Sequence, residues 1–303
     1  MRLIRDVAKH KKKIKNSIKK YGYFAEHNFL HYIYSEVPDT ENIVFDYGND
    51  RTMLLQYDRK NDIWELFPCG ILAPKSERLK MLLDAAKFIL KKKKAKKFTI
   101  EVPEDLRKEI LSKMQKPNSM MARTYTYILH WPVYNMSLWD PKLRGNKMKK
   151  LRNIRNKFFK ENKIKVKDSK DVPKDELKRV FSIWLKKRGL KDHIDKEYYL
   201  SLIDSGFKGA DMAKTIYVNG KPSTITAGWK IPRSNSYYSA IGIIDYSYPG
   251  LGEVANMDDL NRLKKKGYDY VDFGGSDKVL LDFKKKFRPE KIYKTYTFSI
   301  VRS

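Results

Sequence analysis

Residues 266–287 open with Lys266-Gly267-Tyr268-Asp269-Tyr270-Val271-Asp272-Phe273-Gly274-Gly275-Ser276 and close with Asp282-Phe283-Lys284-Lys285-Lys286-Phe287. The run from Tyr268 to Phe273 predicts a strand that ends on two glycines, where a ligand can approach the backbone closely. A short helix through Phe283 follows, and its lysines can contact phosphate. Without a ligand the same residues read as a tight turn and a solvated basic helix. Just upstream, Tyr246-Ser247-Tyr248-Pro249-Gly250-Leu251-Gly252 leads into a helix from about Gly252 to Lys266, with Gly267 in the usual cap position. Such a strand-to-helix turn offers backbone N–H groups and a positive helix end to a diphosphate or a developing oxyanion. Pro-Gly turns also occur as ordinary loops.

Working outward, strands are predicted for Met212 to Val218, Thr224 to Ile231, Ser236 to Ile244 and Tyr293 to Val301. Helices are predicted for Gly145 to Asn162, Lys174 to Lys187 and Lys196 to Ile203. The first half carries strand patterns at Asn42 to Asp46, Thr52 to Tyr57, Ile63 to Phe67, Phe98 to Val102 and Arg123 to Val133. Its helices fall at Ser76 to Lys94, with Ser76 as the cap, and at Glu104 to Met114. Residues 1–35 begin with a basic helical pattern on Ile4, Val7, Ile14 and Ile18. Both halves share a strands-then-αβαβ rhythm, so the expected architecture is α+β with a structural duplication, divided as 1–135 and 136–303.

The chain of 303 residues has 65 Lys+Arg against 36 Asp+Glu, a formal net charge of +29. A folded protein this basic calls for a polyanionic partner: nucleic acid, an anionic membrane surface or a phosphate-rich substrate. Between Lys142 and Lys170 lie thirteen Lys/Arg and two acidic residues, Glu161 and Asp168. On a helix this makes a cationic ridge, while Leu151, Ile154 and Phe158 supply a buried stripe. A solvated face is the alternative reading. The single cysteine, Cys69, sits in an apolar run and reads as a buried structural thiol, which excludes an intrachain disulfide. His10, His27, His31, His130 and His193 show no metal-ligand spacing, so no metal site is expected. The N-terminus carries no apolar leader, and no run reaches the ~18–20 apolar residues of a membrane span. A cytoplasmic protein is therefore expected, with peripheral membrane contact left open.

The ordered set Gly252-Glu253 to Ser276 followed by Phe283-Lys284-Lys285-Lys286-Phe287 resembles the FemABX-like peptidyltransferases and the C-terminal catalytic domain of lysylphosphatidylglycerol synthases. The segment from Trp139-Asp140-Pro141 through Lys157-Phe158 is similar to the basic helix of the second group. The resemblance covers residues 125–300, with the first half alike only in rhythm. It implies two acyl-CoA N-acyltransferase (GNAT)-like folds side by side, with chemistry in the cleft of the second. It also implies a donor of aminoacyl-tRNA or acyl-CoA, an amine or hydroxyl acceptor, and no tightly bound cofactor. By position, Lys284 matches the family's substrate-phosphate lysine.

Attack on an ester or thioester needs a deprotonated nucleophile and a stabilised oxyanion. Candidate acid/base groups are Asp245, Glu253 and Asp272, with Tyr238 and Tyr248 as proton donors, although a carboxylate in such a stretch is more often structural. Candidate substrate or phosphate contacts are Gly250, Gly252, Gly274, Gly275, Ser276, Lys284 and Lys285. A tRNA would lie on Lys147, Lys149, Lys150, Arg152, Arg155 and Lys157. A phosphate-rich small molecule or a lipid remains open as acceptor. The competing reading is a non-catalytic RNA-binding protein on the same fold, in which only the ridge matters.

Overall fold

The computed structural model describes residues 1–114, 119–188 and 194–303. His193 lies outside the described residues. The first half contains β1 (Arg2–Ile4), α1 (Lys11–Tyr21), α2 (Phe29–Tyr34), β2 (Thr40–Gly48), β3 (Arg51–Asp58) and β4 (Ile63–Leu72). It continues with α3 (Lys75–Lys87), β5 (Lys97–Pro103), α4 (Glu104–Met114), β6 (Met120–Ala122) and β7 (Tyr127–Asn135). The second half contains α5 (Lys149–Glu161), β8 (Ile164–Asp168), α6 (Lys174–Arg188), α7 (Lys196–Asp204), β9 (Met212–Val218), β10 (Lys221–Pro222) and β11 (Thr224–Lys230). It ends with β12 (Ser236–Ile244), α8 (Leu251–Lys265), β13 (Tyr270–Asp272), α9 (Lys278–Lys285) and β14 (Lys291–Arg302). The expected α+β duplication is present as one continuous sheet in the order β1-β2-β3-β4-β5-β14-β7-β13-β12-β11-β9-β10, with β6 beside β14 and β8 beside β9.

The halves are joined by an exchange of last strands. β14 ends the second half yet pairs antiparallel with β5, as in Thr295 with Pro103. β7 ends the first half yet pairs with β13, as in Asp272 with Val133. β7 and β14 also pair with each other. Side chains of alternate parity bury opposite faces of the strands. On one face Ile43, Phe45, Phe98 and Phe298 pack with α3 and α4, and Tyr134, Ile216 and Val271 pack with α5 and α8. On the other, Val44 and Leu54 pack under α1 and α2, and Tyr217, Ile225 and Ile241 pack under α6 and α7.

Several sequence expectations shift. Ile4 belongs to a short strand paired with β2 rather than to the basic helix. Ser76 does not cap α3, whose N-cap is Pro74 without a side-chain bond. β4 runs on past Phe67 because a register break opposite Met53 and Leu55 and a positive φ of 54° at Cys69 absorb the irregularity. Cys69 is fully buried there.

Asp259 on α8 is buried and accepts a 3.0 Å hydrogen bond from Thr226 Oγ1. Burial, reinforced by the charge of Asp258, pushes its carboxyl up to about 7 from the ordinary 3.8. Because the folded pKa is raised, its contribution to stability is full below about pH 4 and is lost as pH rises through about 7. Asp259→Asn keeps the acceptor without the charge, so it should raise the melting temperature at pH 8 by roughly 3–6 °C and at pH 5 by much less. Thermal melts of both proteins across that range check this.

Candidate active site

The middle of the sheet carries a face on which Trp131 of β7, Tyr293 and Thr295 of β14, Asp272 of β13 and Tyr238 of β12 come together. The chain from Gly22 to Asn28, between α1 and α2, crosses that face. Tyr23 Oη donates to the Cys69 carbonyl at 3.0 Å, and Trp229 Nε1 donates to the Ala25 carbonyl at 2.9 Å. His27 Nδ1 accepts from the backbone N–H groups of Tyr23 and Phe24, which leaves Nε2 to donate to the Cys69 carbonyl at 3.1 Å. Burial holds this imidazole neutral, with its pKa pushed down to about 3. His27 is therefore a structural clamp.

Beside this crossing segment lies a cavity of about 560 Å³, walled by Tyr23, Phe24, Arg78, Asp105, Arg233, Tyr270, Asp272, Lys291 and Tyr293. Asp272 is 3% exposed. Tyr293 Oη donates to its Oδ2 at 2.7 Å and the Gly274 N–H to its Oδ1 at 2.8 Å. Burial outweighs these bonds and the charge of Lys284, so the carboxyl is pushed up to about 6. A carboxyl with this value is largely ionised at neutral pH yet remains a better proton acceptor than an ordinary aspartate. Tyr238 Oη donates to Glu26 Oε1 at 3.2 Å, and Thr295 Oγ1 donates to Glu101 Oε1 at 2.6 Å. Burial raises both glutamates, and the charge of Glu101 raises Glu26 further.

The sequence-picked residues divide between this centre and a second location. Asp272, Tyr238, Gly274, Gly275 and Ser276 lie at the centre. Gly274 has a φ of 79°, and a Cβ there would sit 3.1 Å from the Tyr238 ring. A Cβ on Gly275 would sit 2.9 Å from Leu129 and 3.1 Å from Trp131. Buried Ser276 donates to the Gly274 carbonyl. Lys284 directs its ammonium at the Phe273 and Gly274 carbonyls, and burial lowers its pKa to about 8. It braces the Gly-Gly turn from within.

Asp245 sits past the end of β12, seven residues beyond the Tyr238 that pairs with Asp272, roughly 20 Å away along the strand. There its carboxylate caps the N–H of Ser247. Tyr248 follows in the same turn. Gly250 is the N-cap of α8 and faces Ile154, and Gly252 faces Phe283. Glu253 is held by Lys286 at 2.7 Å, while Lys285 is exposed and lies 3.4 Å from Asp282. On and before α5, Lys147, Lys149, Lys150 and Lys157 are exposed, whereas Arg152 and Arg155 hold carbonyls of the 141–145 loop.

Glu26, Glu101, Arg78 and Tyr293 escaped the sequence reading. The available signals were the lone acid within Tyr23-Phe24-Ala25-Glu26-His27 and the alternation Lys291, Tyr293, Thr295 on the last strand. Lys284→Ala should leave the Phe273 and Gly274 carbonyls short of a donor and cost about 2 kcal/mol of stability. Chemical denaturation checks it, with an unchanged midpoint contradicting the bracing role.

The sequence model for the C-terminal region of phosphatidylglycerol lysyltransferase matches residues 132–298, more than half of the chain. No curated protein sequence matches. Among solved structures, the chain is similar to the C-terminal domain of a protein named as a lysylphosphatidylglycerol synthetase from Agrobacterium fabrum. The identity is 14%, the coverage 97% of this chain and 92% of that one, and the TM-score 0.69. The lysylphosphatidylglycerol synthase structure from Bacillus licheniformis gives 14% identity, coverage of 96% and 91%, and a TM-score of 0.66. A tandem GNAT protein of clavulanic acid biosynthesis gives 10% identity, coverage of 99% and 98%, and a TM-score of 0.58. The chain belongs to the phosphatidylglycerol lysyltransferase C-terminal family, acyl- and aminoacyl-transferring enzymes on a tandem GNAT-like fold.

Proposed function

We propose that the chain moves an aminoacyl group from aminoacyl-tRNA to a hydroxyl or amine acceptor bound in the central cavity, with Asp272 as the base. The observation that carries this reading is a nearly buried carboxylate on the cavity wall, held by Tyr293 and the Gly274 N–H and raised to about 6. In the reaction, Asp272 takes the proton of the acceptor's hydroxyl or amine as its lone pair attacks the ester carbonyl. The tetrahedral intermediate then collapses, expelling the ribose oxygen of the donor. That oxygen takes the proton back from Asp272. Holding both substrates in one cavity supplies much of the remaining rate enhancement.

A tRNA donor is favoured over acyl-CoA by the exposed lysines of the 147–157 region, because a long run of phosphates uses such a ridge. The family description supports a lysyl group as cargo and a phosphatidylglycerol headgroup as one acceptor to test. No described helix is long and apolar enough to cross a membrane.

Asp272→Asn should lower single-turnover transfer from lysyl-tRNA by about 10²–10⁴-fold while tRNA binding persists. Asp272 must be ionised to act, so wild-type transfer should rise with pH through a midpoint near 6 and fall about tenfold per unit below it. A profile flat between pH 5 and 7.5 sinks the assignment. Replacing Lys149, Lys150 and Lys157 together by Glu should reduce the slope of log affinity against log salt by about two to three in gel-shift titrations. An unchanged slope moves the RNA elsewhere.

A further inference from the structure

The cavity that holds Asp272 also holds an arginine prepared for an anion. Arg78, in the first turns of α3, places its guanidinium carbon 3.6 Å from the centre of the Tyr23 ring. That ring is itself fixed by its 3.0 Å bond to the Cys69 carbonyl. Arg78 Nε donates to the Ala73 carbonyl at 3.1 Å, which fixes the remaining rotation of the plane. One of its five N–H donors is thus committed, and the fork of terminal nitrogens is left. Among the described residues, Arg78 makes no ion pair. Asp105, on the same wall, is already taken: its Oδ2 lies 2.8 Å from Lys75 and its Oδ1 accepts from the Leu106 N–H. Arg233 and Lys291 add two further cations to the lining. A stacked, pre-oriented guanidinium loses little freedom when it binds, and it matches the two oxygens of a phosphate or carboxylate.

We propose that Arg78, which lies outside the matched residues 132–298, is the oxyanion-recognising residue of the acceptor pocket. The inference takes from the proposed function only the identity of the pocket as the acceptor's, since anion binding itself is independent of catalysis.

Titration calorimetry of the full chain at low salt with sn-glycerol 3-phosphate, inorganic phosphate and acetate tests it. One-to-one saturable binding is expected, with the ranking of the two phosphates against acetate separating a phosphate receptor from a carboxylate receptor. Arg78→Gln should weaken binding roughly 10–100-fold. Arg78→Lys, which keeps the charge and the fold but lacks the fork, should weaken it several-fold. Lys12→Gln on the exposed face of α1 should change nothing. Asp272→Asn should bind at least as tightly as wild type even though transfer is lost, which separates failure of the proposed chemistry from failure of the anion site. Equal affinity in wild type and Arg78→Gln overturns the proposal, as does the absence of saturable binding by wild type to all three anions.

Discussion

The insertion of β14 between β5 and β7 is the constraint on which the rest of the molecule depends. Without it the sheet would be split at its centre, and the two halves would each present an unpaired edge. The same strand orients the chemistry. Tyr293 and Thr295 are two residues apart, so they project from one face, and one donates to Asp272 while the other donates to Glu101. Thr295 in turn accepts from Trp131 Nε1 at 2.9 Å, and Trp131 lies parallel to the Tyr293 ring at 10°. A residue near the C-terminus, one near the middle and one from the first αβ unit therefore become a single hydrogen-bonded layer. That layer exists only when the last strand has closed.

The electrostatics work on two separate length scales. A net charge of +29 acts on the outside, where lysines on α1 and along α5 face solvent and can meet a polyanion. At physiological ionic strength such charges are screened over about 8 Å, so they contribute little to the titration of Asp272 in the interior. Its affinity for a proton is decided by desolvation and by the groups it touches. The interior is locally acidic where the exterior is strongly basic. This separation leaves the titration of the buried carboxyl independent of the charge carried on the surface.

The fold was largely legible because both halves signal it locally. β9 and β12 were predicted at their observed bounds, and Gly267 closes α8 as expected, with a φ of 79° at that glycine. What local patterns could not carry was pairing across about 200 residues. Nothing in the periodicity of Tyr293 to Val301 says that its neighbour is Lys97–Pro103. The site inherited the same division. Asp272 and the Gly-Gly turn were readable because a strand ending on glycines is a local signal. Asp245 and Glu253 were drawn in by proximity along the chain, yet β12 carries Asp245 far down the sheet and Lys286 neutralises Glu253. Glu26 and Arg78 are brought to the centre from the first half by contacts that only the folded chain makes.

Three carboxyls, Glu26, Glu101 and Asp272, share this interior, and their surroundings set them apart. If both glutamates were ionised, their charge would add to the desolvation of Asp272 and drive its pKa higher, leaving less of it ionised near neutral pH. Burial instead raises both glutamates, and the charge of Glu101 raises Glu26 further. Asp272 differs in its donors. It receives a phenol and a backbone N–H and feels the cations Lys284 and Lys291, all of which favour the carboxylate. Among the described residues, Glu26 accepts one hydrogen bond, the long 3.2 Å contact from Tyr238. Environment thus sorts chemically similar groups, lifting the glutamates by burial while the donors around Asp272 hold it at about 6. The segment from Gly22 to Asn28, by placing Glu26 there, makes the first half a participant in setting that order.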